Sequence, residues 1–238
     1  MMENELKFKE YIINGKTYRM NIFETAKTRE DNYLIGYLLG DGGINPETHK
    51  RNARLFVSST EKYIIDFFKN NYCPDVIMDS RIPINKTRNI VSKIESHKIN
   101  FSSKFSNVFK KYGLLSKKID RTYHNIKKDN MNCFLLGLFD ADGHISWGRR
   151  KDRNRLWCNY GITHPSLKML TKLQRFFSDE LGISTYISPK PNENCYVFRT
   201  SRREDIVTIL EYMYVDTPVI FNKTKYENSM RYIKEYNK

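Results

Sequence analysis

The sequence has few cysteines and no long apolar run. Its 238 residues include four cysteines, and none belongs to a Cys-x-x-Cys pair. This spacing argues against a zinc site and favours reduced thiols in a cytosol-like compartment. No apolar stretch approaches the roughly 20 residues that a membrane-spanning helix needs. The first ten residues, MMENELKFKE, are rich in charge, so no secretory signal is expected.

Acidic residues are scarce relative to basic ones. The chain has 27 Asp and Glu against 41 Lys and Arg, which gives a formal net charge of +14. Such an excess indicates a polyanionic partner, with nucleic acid favoured over a membrane surface. The 39% share of hydrophobic residues is ordinary for a folded protein and argues against wholesale disorder. The length allows one large domain or two small domains.

One apolar stretch occurs twice. Residues 33–43 read YLIGYLLGDGG, and residues 134–144 read FLLGLFDADGH. Each run contains two small residues four positions apart: Gly36 with Gly40, and Gly137 with Ala141. Each run also contains an Asp-Gly pair, with Asp41 and Asp142 separated by 101 positions. This register indicates an internal duplication.

The repeated pattern has a physical interpretation. Residues four apart lie on one helix face, so each small pair lets two helix backbones approach closely. The glycine after each Asp is expected to be the left-handed residue that ends a helix. Each carboxylate would then lie at the negative end of a helix dipole, beside a second carboxylate. Such a pair needs a shared proton or a cation, and hard cations such as Mg²⁺ bind carboxylate and carbonyl oxygens.

Both runs resemble the LAGLIDADG motif of homing endonucleases. Residues 135–143 match it closely, whereas residues 34–42 keep the small residues and the final Asp-Gly. The first copy departs from the pattern at Leu39, where the second copy has Asp140. The resemblance implies an α+β fold of two pseudo-symmetric half-domains, each αββαββα. These half-domains would form a saddle with the two motif helices at its centre.

The duplication extends beyond the motifs. The apolar positions 206, 209, 210 and 213 repeat 105, 108, 109 and 112 after 101 residues. We therefore predict four segments: an N-terminal extension with a β-hairpin at 1–27, a first half-domain at 28–113, a linker at 114–128 and a second half-domain at 129–238. The hairpin prediction depends on an Asn-Gly turn at Asn14 and Gly15.

The resemblance also implies catalytic and metal-binding residues. Asp41 and Asp142 would bind Mg²⁺, for which Mn²⁺ can substitute, and the carbonyl groups of Gly40 and Ala141 are candidate further ligands. A basic residue after the third helix of each half and a polar residue at the end of each second strand would assist catalysis. These candidates are Lys118 and Lys225, and Ser59 and His164.

Double-stranded DNA is the partner that the resemblance implies. Sheets bearing basic residues can follow the major groove, where base edges are distinguishable. The candidate DNA-binding residues are Lys50, Arg51, Arg54, Arg81, Lys86, Arg88, Arg149, Arg150, Arg153, Arg155, Lys190 and Arg199.

Three functional hypotheses follow. The first is a monomeric, sequence-specific, metal-dependent DNA endonuclease, either intron-encoded or free-standing, in the cytoplasm or an organellar matrix. The second is an RNA maturase that assists intron splicing, alone or in addition to cleavage. The third is a transcription regulator that keeps the fold without the activity, and the intact Asp41 and Asp142 argue against it. No intein is expected, because the chain begins Met-Met-Glu and ends Glu-Tyr-Asn-Lys.

Overall fold

The computed structural model describes residues 10–19, 26, 28–45, 54–85, 90–91, 94–102, 105–151, 155–191, 193–215 and 220–238. An antiparallel hairpin comes first, formed by strands β1 (Glu10–Ile13) and β2 (Lys16–Arg19). Its turn residues Asn14 and Gly15 both have positive φ angles, of 53° and 73°. This conformation is the one that Asn-Gly turns favour, so the hairpin prediction is confirmed.

The first half continues with the motif helix, a four-stranded sheet and two further helices. Its elements are α1 (Arg29–Asp41), β3 (Gly42–Asn45), β4 (Arg54–Ser59), α2 (Lys62–Tyr72), β5 (Asp79–Arg81), β6 (Ile84–Asn85), β7 (Ile90–Val91), β8 (Ser96–Asn100) and α3 (Ser106–Lys110). The sheet is antiparallel with strand order β3-β4-β8-β5, and β6 and β7 form a separate small ladder.

The second half repeats this arrangement. Its elements are α4 (Met131–Asp142), β9 (Gly143–Arg149), β10 (Leu156–His164), α5 (Leu167–Leu181), β11 (Tyr186–Pro189), β12 (Tyr196–Thr200), α6 (Arg203–Tyr214) and α7 (Lys223–Tyr236). The strand order β11-β12-β10-β9 is the first sheet read from its other edge. The predicted α+β fold with an αββαββα core in each half is confirmed, with the β6–β7 ladder and α7 as additions.

Helices α1 and α4 pack directly against each other at the centre. A Cβ atom on Gly36 would overlap the carbonyl oxygen of Phe134, and one on Gly137 would overlap that of Tyr33. The two backbones therefore touch at these positions, as the spacing of small residues predicts. Both helices are buried along almost their whole length, because their remaining faces pack on the sheets and helices around them.

The motif helices end differently from the expectation. Gly42 and Gly143 are extended, with φ near −86° and −87°, so the prediction of left-handed glycines is wrong. Each glycine instead begins a strand immediately after the aspartate. A Cβ atom on Gly42 would lie 2.5 Å from the carbonyl oxygen of Leu38, and close approach is therefore the reason for glycine here. The direct turn places each aspartate at the junction of a helix end and a sheet.

Each sheet has one face covered by helices and one open face. On β12, Phe198 packs against Phe177 of α5 with ring centroids 5.0 Å apart. Because side chains alternate along a strand, Arg199 lies on the opposite, open face. Among the described helices, none combines the length and apolar character required to cross a membrane.

The first testable prediction concerns Gly137. Alanine is the better helix former by about 1 kcal/mol, yet Gly137→Ala should lower the free energy of unfolding by about 3 kcal/mol, because the added methyl group must displace the backbone of α1. Urea denaturation measures this change. Ser178→Ala on the exposed side of α5 is the control and should have little effect. A Gly137→Ala protein as stable as the parent would contradict the backbone contact.

Candidate functional site

Asp41 and Asp142 are the last residues of the two crossing helices. A Cβ atom on Gly40 would lie 3.3 Å from the Cγ atom of Asp142, so the Asp142 carboxylate lies against the last turn of α1. Burial, followed by the negative charge of Asp142, raises the pKa of Asp41 to about 7. The structure thus brings together the two carboxylates that the sequence places in register, and the charge of Asp142 disfavours ionisation of Asp41.

Lys118 contacts Asp142 directly. Its Nζ atom donates a hydrogen bond to Oδ1 at 3.2 Å and lies 3.0 Å from Oδ2. Lys118 begins a short 3₁₀ turn, Lys118–Asp120, in the segment that joins the halves. Burial raises the pKa of the Asp142 carboxyl, and the positive charge of Lys118 opposes this rise. Lys118, which follows the first half in the sequence, therefore contacts the aspartate of the second half.

His164 lies on the same side of the site, fully buried. Its Nδ1 atom accepts a hydrogen bond from the backbone N–H of Ser166, so the ring proton is on Nε2. That Nε2–H donates to the Leu39 carbonyl at 3.2 Å and lies 4.0 Å from Oδ2 of Asp142. Burial, together with the charge of Lys118, lowers the pKa of His164 to about 3. The ring is therefore a neutral hydrogen-bond donor that fixes a helix end, and it is not available as a base.

Arg121 is a site residue that the sequence analysis missed. Its buried guanidinium donates to the carbonyls of Leu39 and Gly42, each at 3.0 Å, and to that of Leu115 at 2.9 Å. Burial lowers the pKa of Arg121 to about 10, so it remains a cation at neutral pH. Its charge compensates the negative end of the α1 dipole beside Asp41. In the sequence, nothing distinguishes Arg121 from the other basic residues of the linker.

A cavity of about 310 Å³ opens on the Asp41 side of the site. Its lining includes Tyr37, Asp41, Ser59, Glu61, Asn222 and Lys225. The Lys225 Nζ atom donates to the carbonyls of Phe139 and Asp140, both at 2.8 Å, and so caps α4. Lys225 of the second half thus lines the same cavity as Asp41 of the first half. Together with the contact of Lys118 with Asp142, this is an exchange of lysines between the halves.

Ser59 lines this cavity and also has a local structural role. Its Oγ atom accepts hydrogen bonds from the Tyr37 hydroxyl at 2.8 Å and from the backbone N–H of Glu61 at 3.0 Å. These bonds fix the turn between β4 and α2. The structure therefore places all four assisting residues nominated from the resemblance within the site, whereas their catalytic roles stay predictions.

The two aspartates fit a divalent metal ion. Oδ2 of Asp142 is buried and lacks a hydrogen bond of acceptable geometry, although Lys118 is near. Mg²⁺ is commonly bound by one or two carboxylates, with waters and substrate phosphates as the other ligands. In the described parts of the chain, no three His, Cys, Asp or Glu side chains converge on one point. Gly40 and Ala141 meet at the same helix crossing, and the ligand role of their carbonyls stays a prediction.

Two predicted DNA-binding residues, Arg199 and Arg81, lie on the open sheet faces. The Arg199 guanidinium lies 4.7 Å from the centre of the Tyr186 ring, and its buried Nε atom has no hydrogen-bond partner. Arg81 is exposed on β5. The adjacent strand carries Lys98, whose Nζ atom lies 3.9 Å above the Phe56 ring. Lys98 was missed, although its place between two buried residues of β8 would have revealed an outward side chain.

Other predicted contacts are located elsewhere. Arg150 and Arg155 are exposed beside the β9–β10 turn, and Lys190 pairs with Glu193 at 2.9 Å. Arg149 pairs with Glu235 of α7 on the helix-covered face, so a DNA contact does not fit its placement. Lys50, Arg51, Lys86, Arg88, Arg153 and the side chain of Arg54 lie outside the described residues.

Comparison with known proteins agrees with this geometry. Residues 129–214 match the family model described as a LAGLIDADG-like domain. A point mutant of I-SmaMI is 13% identical with a TM-score of 0.58, over 87% of this chain and 92% of that chain. Meganuclease I-AabMI bound to uncleaved DNA is 13% identical with a TM-score of 0.57, over 86% of this chain and 89% of that chain. Homing endonuclease I-GzeII in complex with its DNA target is 13% identical with a TM-score of 0.55, over 85% and 88%.

A curated relative covers part of the chain. The ATP-dependent DNA helicase Hel308 of Methanocaldococcus jannaschii is 27% identical over 150 residues, or 61% of this chain. The match spans only 12% of the helicase. Residues 129–214 are thus similar to a LAGLIDADG-like domain, and the chain as a whole has the fold of the LAGLIDADG homing endonucleases. The resemblance inferred from the two motifs is confirmed.

The second prediction concerns the pH dependence of stability. Because the pKa of Asp41 rises from 3.8 to about 7 on folding, the unfolded chain loses this proton before the folded chain does. The contribution of Asp41 is therefore fully present below about pH 4 and is lost as the pH rises to 7. Asp41→Asn should raise the free energy of unfolding at pH 8 by about 2–4 kcal/mol, and change it little at pH 4.

Urea denaturation in EDTA at the two pH values measures this difference. Asp179→Asn, an exposed change on α5, is the control and should show no such pH dependence. An equal effect of Asp41→Asn at pH 4 and pH 8 would show that the folded carboxyl titrates normally.

Proposed function

We propose that this protein is a site-specific, homing-type DNA endonuclease that hydrolyses one phosphodiester bond in each strand of a duplex. The observation that carries the proposal is the pair of partly buried carboxylates at the helix crossing, each accompanied by a lysine from outside its own half. The likeness in fold to I-AabMI and I-GzeII, whose structures contain DNA, supports the choice of substrate.

Hydrolysis of a phosphodiester requires a positioned water, charge relief at the phosphate and stabilisation of the leaving oxygen. Asp41 and Asp142 would hold Mg²⁺, or Mn²⁺ in its place, which activates water and offsets phosphate charge when bound. Lys118 and Lys225 would place a positive charge beside each scissile phosphate. His164 would orient the end of α1, because its ring is a neutral donor already bonded to Leu39.

The open sheet faces would bind the duplex. Cations at the open face favour the phosphate backbone, and an arginine can also pair with guanine in the major groove. Arg199 is preorganised for this role by the ring of Tyr186. Since one chain contains both motif helices and both open faces, we propose that the protein acts as a monomer, whether an intron encodes it or its gene is free-standing.

The third prediction tests the catalytic assignment. The full-length protein, incubated with a library of randomised long duplexes and Mg²⁺, should release double-strand breaks at one recoverable sequence. Asp41→Asn and Asp142→Asn should each abolish double-strand cleavage while leaving duplex binding largely intact, because the carboxylates act on the phosphate rather than on the bases. Sequencing of the cleaved ends and a gel-shift assay measure the two outcomes.

Two controls accompany this experiment. Asp179→Asn, an exposed acid on α5, should cleave like the parent protein, and EDTA should stop cleavage by both. Isothermal titration of Mg²⁺ into the protein should give a binding signal that Asp41→Asn weakens. Robust cleavage by the double variant would refute the site, and binding to folded intron RNA alone would favour the maturase.

The fourth prediction concerns DNA binding. Affinity for the recovered duplex should fall on the order of 10³–10⁵-fold between 50 and 200 mM salt, because bound counterions are released from the phosphates. Arg199→Ala should weaken binding by about 1–3 kcal/mol and relax the preference at one base pair. Fluorescence anisotropy over a salt series measures both effects. Arg231→Ala, on the exposed side of α7, should change neither, and equal losses for the two variants would exclude a specific role for Arg199.

A further inference from the structure

The two helix ends differ at one buried position. Asp140 in α4 is only 4% exposed, and the corresponding residue of α1 is Leu39. Oδ2 of Asp140 accepts a hydrogen bond from the Tyr33 hydroxyl at 2.8 Å and another from the backbone N–H of Asn222 at 2.7 Å. A buried acid with two short hydrogen bonds is costly to remove, and one of these bonds reaches the segment before α7.

That bond holds the beginning of α7. Asn222 is the N-cap of this helix, and its Oδ1 atom accepts from the backbone N–H of Lys225 at 3.0 Å. Lys225 lies in the first turn, and its Nζ atom returns to the carbonyls of Phe139 and Asp140 at 2.8 Å. The contacts form a closed loop from Asp140 through Asn222 and Lys225 to the end of α4. The loop fixes Lys225 in the cavity that contains Asp41.

Among the described residues, no such loop forms at the end of α1. The Leu39 carbonyl accepts hydrogen bonds from Arg121 and from His164, and neither donor is Lys118. Lys118 is therefore not needed as a cap and bonds to the Asp142 carboxylate instead. Lys118 is thus held by the Asp142 carboxylate. Lys225 is held by the carbonyls at the end of α4, beside Asp140.

We propose that Asp140 is a positioning residue that holds Lys225 at the Asp41 cavity, so that cleavage of one DNA strand depends on Asp140 and cleavage of the other does not. The proposal rests on the proposed endonuclease function. The difference between Leu39 and Asp140 would then make the two cleavage sites unequal, although the fold is pseudo-symmetric.

The test compares strand-specific cleavage rates. The substrate is a supercoiled plasmid that carries the duplex recovered from the library. Asp140→Leu, which introduces the residue found in the first motif, should slow one strand on the order of 100-fold relative to the other, because a displaced catalytic group loses its alignment. Nicked circles should then accumulate. Asp140→Asn keeps an acceptor for Asn222 and should restore most of the lost rate.

Tyr33→Phe is the matched control. It deletes the second hydrogen bond to the same Asp140 oxygen without touching α7, and it should leave the ratio of the two strand rates unchanged. Lys118→Met should instead slow the strand that Asp140→Leu spares, because Lys118 contacts Asp142. Equal slowing of both strands by Asp140→Leu, or an unchanged ratio, would overturn the positioning role.

Hydrogen exchange of the free, full-length protein provides an independent measurement. Asp140→Leu should remove protection from the first-turn amides of α7, whereas the amides of α5 should keep theirs. If the parent protein cuts neither strand, the proposed function fails, and the exchange result still decides whether Asp140 holds Lys225. Unchanged protection in the Asp140→Leu protein would refute the claim that Asp140 holds the beginning of α7.

Discussion

The close crossing of α1 and α4 is the constraint on which the rest of the structure depends. Glycines at Gly36 and Gly137 let the two backbones touch, and the helices then end side by side. Two carboxylates and the negative ends of two helix dipoles are thereby confined to one small volume. Such an arrangement is unfavourable without cations. The neighbouring elements supply them from the linker and from α7.

The two ends are compensated by different chemistry. At α1, the buried Arg121 donates to the carbonyls of Leu39 and Gly42 and does not line the cavity. At α4, Lys225 donates to the carbonyls of Phe139 and Asp140 and still borders the Asp41 cavity. The difference accompanies a change at one position, where one helix has Leu39 and the other has Asp140. In this duplicated fold, the carbonyls at the two helix ends are therefore bound by different side chains, Arg121 at α1 and Lys225 at α4.

The open sheet faces connect this centre to the proposed substrate. Each motif helix turns directly into the first strand of its sheet, so the carboxylates and the open faces share a fixed geometry. Aromatic rings beneath Lys98 and Arg199 hold two cations on those faces. Arg149 shows the limit of reading charge alone, because strand alternation turns it toward α7 and Glu235.

The duplication, the backbone contact of small residues, the in-register aspartates and the fold could be predicted from the sequence, because they follow from local spacing or from the motif resemblance. Four features became visible only in the folded chain: the extended glycines, the neutral state of His164, the cap formed by Arg121 and the exchange of lysines between halves. The last three depend on contacts between distant segments: Arg121 and His164 reach Leu39 across 82 and 125 positions. No local pattern encodes such contacts, since only the packed helix crossing brings the partners together.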